Sequence, residues 1–426
     1  MKVFKFGGAS VKDAEGIRNL AGIVACSQDE LVIVVSAFGK TTNALEALLK
    51  AWIGGGNEYE NHLAEIYKNH LEIIEDLFTG PSIARGKTDA LVNKLREFLR
   101  EGKYSSYDSD YDQVVSYGEL LSTIIVAEYL KTLIPSVSWI DIREKLITDE
   151  RFRDANVIWE ESKIRIKAAF DFRNERIYVT QGFIGGTTDR KTTTLGREGS
   201  DFTAAILANI LDAEQVVVWK DVPGIMNADP KWFRGAEKLE EISYKEAVEM
   251  SFSGAKVIHP KTIKPLHNKN IPLHVRPFLD INEKGTIVKA DAELKKVLPV
   301  YIRKENQILL SILPKDFSFV IGDNLAKIFH SFQANGIKVN LVEASAVSLD
   351  VCADDERTRI ESFINENEID FSVVYNNDVE LLSIRHYTSA SVTKVTDGRQ
   401  ILLEQRTRST VRFVVRKCPP TPLKGG

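Results

Sequence analysis

Four short apolar runs, each closed by a glycine-bearing turn and interleaved with helix-period segments, limit what this chain can fold into. Met1–Phe6 is β-rich and breaks at Gly7-Gly8, and Leu31–Val35 ends at Ser36-Ala37-Phe38-Gly39. Ile177–Val179 and Gln215–Trp219 are further buried-strand candidates. Between them the apolar period is helical. Ser10 and Asp13 form an S-x-x-D start before Ile17, Leu20, Ala21 and Val24, and a second helix is expected near Leu45–Ala51. Strands alternating with helices specify an α/β fold with a mostly parallel sheet covered on both faces. Ligands of such sheets lie outside the carboxyl ends of the strands. The turns after Phe6, Val35, Val179 and Lys220 are therefore expected on one edge, around one shared site.

The chain has 426 residues, enough for two or three domains, and its 43% apolar and 27% charged content is that of a globular protein with a sizeable core. A net charge of −4 gives no electrostatic case for nucleic acid or an anionic membrane. Cys26, Cys352 and Cys418 are scattered, without disulfide-framework or zinc spacing. No apolar stretch reaches membrane-spanning length, and a cytoplasmic location is expected. Glu58–Arg100 reads as helical with a turn at Thr79-Gly80-Pro81, Glu101–Asp112 as a loop, and Ser116–Leu130 as a helix with Glu119 near its start. A composition shift within Gly285–Asn306 marks the main boundary. Beyond it, strands are expected at Gln307–Leu313, Ile337–Glu343 and Ala346–Val351, and helices at Ile321–Asn335 and Arg357–Asn365. Val379–Arg416 reads as nearly all short strands, including Ser391–Val395, and Cys418–Gly426 as a disordered, proline-rich tail.

The chemistry is concentrated in the turns. Residues 193–203, Thr-Thr-Leu-Gly-Arg-Glu-Gly-Ser-Asp-Phe-Thr, run straight into an apolar helix. Gly196 and Gly199 let the backbone bend close to an anion, free N–H groups open the helix, and Arg197 adds a guanidinium suited to bidentate capture of carboxylate or phosphate. The plainer alternative is a solvated loop capped at Ser200. No G-x-x-x-x-G-K-[ST] loop occurs, and no G-x-G-x-x-G opens a βα unit, so any phosphate is held another way. Lys5-Phe6-Gly7-Gly8-Ala9-Ser10 offers one: a lysine at a strand end, two glycines, then a helix start. Ser36 and Thr42 suit a carboxylate or a helix cap. Glu119 suits a surface or a site. Asp221 suits a metal or nucleotide contact or a turn, and Lys256 a phosphate or solvent. His259, beside a proline, reads as structural.

Taken in order and spacing, Lys5–Ser10, Ser116-Tyr117-Gly118-Glu119, Thr180–Gly186, Thr192–Thr203, Trp219–Pro230 and Gly254–Pro260 resemble the motifs of aspartate kinases. The resemblance is dense over residues 1 to about 290 and looser beyond. It implies an amino-acid-kinase-like sandwich around a mostly parallel sheet over 1–290, followed by α+β ACT-like regions: one module over 300–378, an incomplete second over 379–416, and a disordered tail over 417–426. It further implies ATP-dependent phosphorylation of the L-aspartate side chain, the first step toward lysine, methionine and threonine, with Mg²⁺ carried largely by ATP oxygens and water. By the same resemblance, Lys5 and Asp201 are catalytic. Ser36, Thr42, Glu119, Phe183, Arg197 and Ser200 hold aspartate, with Arg197 on the α-carboxylate. Gly7, Gly8, Ser10, Asp221, Lys231 and Lys256 serve ATP, and no side-chain metal site is expected. An amino-acid effector, lysine or threonine, at the ACT region and a homodimer or higher homo-oligomer also follow. The departures are Ala9 for threonine, Glu198 for glycine or asparagine, Met226 for tyrosine, Lys231 for arginine, and Asn340 where lysine-sensitive members often carry aspartate. Two rivals remain open on the residues alone: another amino-acid or carbamate kinase of this fold, and a catalytically weak amino-acid sensor motivated by Glu198.

Overall fold

The computed structural model describes residues 1–102, 105–255, 258–292 and 297–417. Two compact units divide the chain. Met1–Ile225, Lys238–Val248 and Val257–Leu294 form the first; Met226–Glu237, Glu249–Lys256 and Lys295–Gly426 form the second.

In chain order the first unit opens with β1 (Lys2–Phe6), α1 (Ala14–Ala25), β2 (Leu31–Val35) and α2 (Thr41–Ile53). Four helices follow: α3 (Glu58–Leu77), α4 (Ile83–Glu101), α5 (Tyr107–Val115) and α6 (Tyr117–Leu133). Next come β3 (Val137–Ile140), α7 (Trp159–Ala169), β4 (Ile177–Gln181), the hairpin of β5 (Ile184–Gly186) and β6 (Thr192–Thr194), α8 (Gly199–Ile210) and β7 (Gln215–Lys220). Then come β8 (Glu241–Ser243), α9 (Tyr244–Phe252), whose residues from Glu249 onward belong to the second unit, α10 (Pro260–His267), β9 (Leu273–Pro277) and β10 (Thr286–Lys289). Among the described residues, eight strands form one sheet in the order β3-β4-β2-β1-β7-β9-β10-β8, parallel except where β10 meets β9. The apolar runs sit here because both sheet faces are covered: every residue of β2 is buried, as are Val3–Phe6 of β1. Phe6 stacks on Trp219 of the adjoining strand with ring centroids 6.2 Å apart, and Phe4 meets the same indole edge-on.

Register then fixes the site. Phe6 lies opposite both Val35 and Trp219, and Val35 opposite Gln181, so β1, β2, β4 and β7 end in one row. Their turns leave from the same edge, as the alternation predicts. One helix was hidden. Within the expected loop Glu101–Asp112, α5 begins at Tyr107, because Ser106 accepts a hydrogen bond from the Ser109 N–H and Asp108 and Asp110 suit a helix N-terminus.

The second unit is built on β11 (Val300–Pro314), α11 (Asp323–Ala334), β12 (Val339–Ala344), β13 (Leu349–Asp354), α12 (Arg357–Asn367), β14 (Phe371–Arg385), α13 (Ser389–Thr396), β15 (Arg399–Arg406) and β16 (Thr410–Lys417). The strands form an antiparallel sheet ordered β12-β13-β11-β14-β16-β15. Period-2 alternation sends Ile308, Leu310 and Ile312 into one core with Phe332 and Phe363, while Leu309 joins another. Phe332 of α11 stacks on Phe363 of α12 at 4.4 Å. One expectation changes here. Ser391–Val395 is helical rather than a strand, because Thr388 and Ser391 cap each other reciprocally and Val395 is buried by the turn that results. β14 spans the expected module junction at 378–379, where Asp378 is left-handed at φ 55° and the register against β11 shifts. Of the tail expected over 417–426, all but Lys417 lies outside the described residues.

Candidate active site

Lys5 is the penultimate residue of β1, and Asp201 stands in the first turn of α8. Lys5 Nζ is 2.6 Å from Asp201 Oδ1, with the side chains 11% and 4% exposed. Lys220, the last residue of β7, brings its Nζ to 3.7 Å from Asp201 Oδ2. Burial alone would raise the Asp201 carboxyl, but the two ammonium groups outweigh it and hold the group below the ordinary carboxylate value. Beside this cluster, Ser36 Oγ donates to Ser200 Oγ at 3.0 Å. Two glycines make the approach possible. A Cβ on Gly182 would come within 2.5 Å of Ser200 Cβ, and one on Gly8 within 2.4 Å of the Ala37 carbonyl oxygen.

These groups border a cavity of about 590 Å³ that also receives Thr42, Glu119, Phe183 and Arg197. Glu119 is buried. Its Oε1 accepts the Ala37 N–H at 3.2 Å, whereas Oε2 has no hydrogen-bond partner among the described residues. Burial dominates and pushes its carboxyl up to about 8, against the pull of the Ala37 N–H and the Lys5 charge, so Glu119 is largely protonated at neutral pH. Phe183 holds a left-handed backbone, φ 69°, and its N–H donates to Thr203 Oγ1 at 3.0 Å, aiming the turn after β4 at the start of α8. The Arg197 guanidinium is exposed and makes no ion pair among the described residues.

The sequence reading passed over two residues that line the cavity, Arg153 and Lys220, and one bonded to Arg153, Asp112. The Arg153 guanidinium lies 4.7 Å from the Tyr111 ring centroid and 3.2 Å from Asp108. The buried Asp112 of α5 accepts the Arg153 N–H at 2.9 Å, the Thr194 N–H at 2.8 Å and the Thr194 hydroxyl at 2.7 Å. Burial pushes the Asp112 carboxyl up to about 6 despite these donors. Lys220 is the third omission. A lysine at a strand end ordinarily reads as a solvent-seeking side chain.

Other expected residues stand apart. Gly7 and Ser10 shape the turn itself, the Ser10 N–H donating to the Gly7 carbonyl at 3.0 Å. A Cβ on Gly7 would lie 3.6 Å from Lys5 Nζ. Asp221 is exposed and does not line the cavity. Lys231 is exposed in the second unit, its N–H donating to Asp229 at 2.9 Å, and Lys256 lies outside the described residues. Glu198, at φ 54°, is not a loose charge beside Arg197: its Oε2 accepts the His259 N–H at 2.8 Å. His259 in turn caps α10 through Nδ1, consistent with a structural residue. Among the described residues, no group of three or more His, Cys, Asp or Glu could hold a metal, and no helix is long and apolar enough to cross a membrane.

Residues 1–277 match the model of the amino acid kinase family. The chain is 33% identical over 353 residues to lysine-sensitive aspartokinase 3 of Escherichia coli (strain K12), covering 83% of this chain and 78% of that one. Its fold matches the crystal structure of E. coli aspartokinase III in complex with aspartate and ADP (R-state), with a TM-score of 0.83 and 29% identity over 98% of this chain and 96% of the other. The same enzyme in complex with lysine and aspartate (T-state) matches with a TM-score of 0.81, again at 29% identity over 98% and 96% of the two chains.

Proposed function

Because the chain belongs to the amino acid kinase family, and within it to the aspartokinases, we infer that it is an aspartate kinase, transferring the γ-phosphoryl group of ATP to the side-chain carboxylate of L-aspartate. The observation that carries this reading is the buried Lys5–Asp201 pair at the carboxyl edge of the sheet, beside a cavity bordered by a guanidinium with no ion pair among the described residues. An aspartate side chain ordinarily titrates near 3.9, so at neutral pH it is already a nucleophile and needs no general base. A carboxylate oxygen attacks the γ-phosphorus, the bond to the β,γ-bridging oxygen breaks, and ADP leaves with that electron pair. No proton has to move.

The protein's work is therefore positioning and charge. Lys5 stabilises the transferring phosphoryl group and Asp201 holds Lys5. Arg197 clamps the α-carboxylate, Glu119 faces the α-ammonium with its unpartnered Oε2, and Ser36, Thr42, Phe183 and Ser200 complete the aspartate pocket. The Gly7-Gly8 turn, with Ser10, Asp221, Lys231 and Lys256, serves the nucleotide. Mg²⁺ would accompany the triphosphate, carried by phosphate oxygens and water, and would offset part of the phosphate charge. Lysine or threonine acts as effector at the second unit; the lysine complex of the bacterial relative supports this. Against a lysine effector, Asn340 is already engaged within that unit, accepting from Lys304 Nζ at 2.6 Å and donating to Gln307 and Asp354, each at 2.7 Å.

The test is acyl-phosphate formation from ATP, Mg²⁺ and L-aspartate, trapped as the hydroxamate, with L-glutamate in parallel. Aspartate-selective product is expected. Binding of aspartate without product would replace the kinase by an amino-acid sensor.

A further inference from the structure

We propose that Lys220 is a second phosphoryl-directed catalytic residue, the cation that leaves the Lys5–Asp201 cluster with a net positive charge toward the transferring group. The proposal rests on the kinase reading above and adds to it a residue outside the expected set.

Strand register brings Lys220 to this point. Phe6 lies opposite Trp219, so Lys220 emerges one residue past the end of β1, on the edge where Lys5 emerges. Its side chain is one quarter exposed, lines the 590 Å³ cavity and reaches Asp201 Oδ2 at 3.7 Å. Lys5 engages the other oxygen at 2.6 Å. One carboxylate thus stands between two ammonium groups. Were Lys5 alone present, Asp201 would cancel its charge at close range, and the pair would offer a phosphoryl group little net attraction. With Lys220 the cluster carries one positive charge in excess. Glu119, protonated, does not oppose it; the Glu198 carboxylate lies at the cavity wall, its Oε2 accepting the His259 N–H. Lys5 lies nearer Asp201, and Lys220, farther from it and more exposed, lines the cavity that an arriving γ-phosphate would enter. As the bridging oxygen departs with its electron pair and the carboxylate oxygen bonds to phosphorus, charge spreads over the three outer phosphoryl oxygens, and a preorganised ammonium there acts on the transition state.

The experiment uses the full chain with Lys220→Met, Lys220→Gln as a polar second variant, and Lys220→Arg. Both neutral variants should lower kcat roughly thirtyfold or more, with the KM for aspartate within about twofold of wild type, and Lys220→Arg should recover most of the loss. Calorimetric titration with ATP and with ADP supplies a readout independent of turnover. The preference for ATP over ADP should shrink in the neutral variants, whereas a mere counter-ion to Asp201 would affect both nucleotides alike. A kcat within about threefold of wild type, or an unchanged ATP-to-ADP preference, overturns the proposal. Failure of the wild type to make aspartyl phosphate would instead sink the kinase reading, and the nucleotide preference would still judge Lys220.

Discussion

Arg197 and Lys5 border one cavity but should fail differently. Arg197→Ala removes a guanidinium from the cavity wall, and the KM for aspartate should rise roughly tenfold or more with a smaller change in kcat. On the proposed reading Lys5→Ala removes charge from the transition state and should lower kcat roughly a hundredfold or more. Steady-state kinetics on both variants separates the roles, and a KM effect at Lys5 with kcat intact would exchange them. Both residues were legible in the sequence because each sits beside glycines at an abrupt change of period. Glu198 was visible there only as an added negative charge. Its partner, the His259 N–H, is 61 positions away, beyond the reach of any local pattern. Glu198→Gly keeps a residue tolerant of the left-handed backbone and loses that hydrogen bond. It should cost about 1 kcal/mol of stability by thermal unfolding and leave the KM for aspartate nearly unchanged. Glu198 lines the cavity, so a large rise in KM would give it a part in holding aspartate.

The turn after β4 and the start of α8 pack so closely that only hydrogen fits between them at Gly182. Gly182→Ala should destabilise the first unit by about 1–3 kcal/mol and displace Ser200, so Tm and activity fall together; a variant as stable and active as wild type would show that the contact yields. Elements with strong periods were legible. β2 spans the Leu31–Val35 run without adjustment, and β1 and β7 fall within a residue of the expected ends. Misreadings occurred where capping, not periodicity, decides. The polar surroundings of α5 masked Tyr111, Val114 and Val115 as a buried face, and Ser391–Val395 mimics strand alternation until Thr388 and Ser391 close their capping box. The loss of α5 from the reading also concealed Asp112, and with it the anchor of Arg153.

For the whole chain, two buried carboxyls set a pH dependence. Glu119 moves from an ordinary 4.5 to about 8, and Asp112 from 3.8 to about 6, both chiefly through burial. Raised values mean that the stability gained by keeping these groups protonated is fully present below their ordinary values. It is lost as pH climbs through about 6 for Asp112 and about 8 for Glu119. Glu119→Gln has no proton to lose, so its Tm should gain on that of the wild type between about pH 5 and pH 8. Parallel Tm profiles for the two proteins would mean that Glu119 keeps an ordinary value. The sequence placed one boundary within Gly285–Asn306, but the path is more involved: Met226–Glu237 and Glu249–Lys256 leave the first unit for the second before the chain commits itself at Lys295. Nothing in local composition signals such excursions, since each is only a few turns long.

Phe233, delivered by the first excursion, stacks on Tyr301 at 4.1 Å and shares a core with Leu382, Ile384, Val411 and Phe413. The second unit therefore depends on sequence written inside the first. A gene joint at residue 295 would hand a new host a sheet with an aromatic ring missing from its interior. Exchange of this unit between proteins by simple end-to-end fusion is disfavoured, and the two units are bound to be inherited, and to diverge, together.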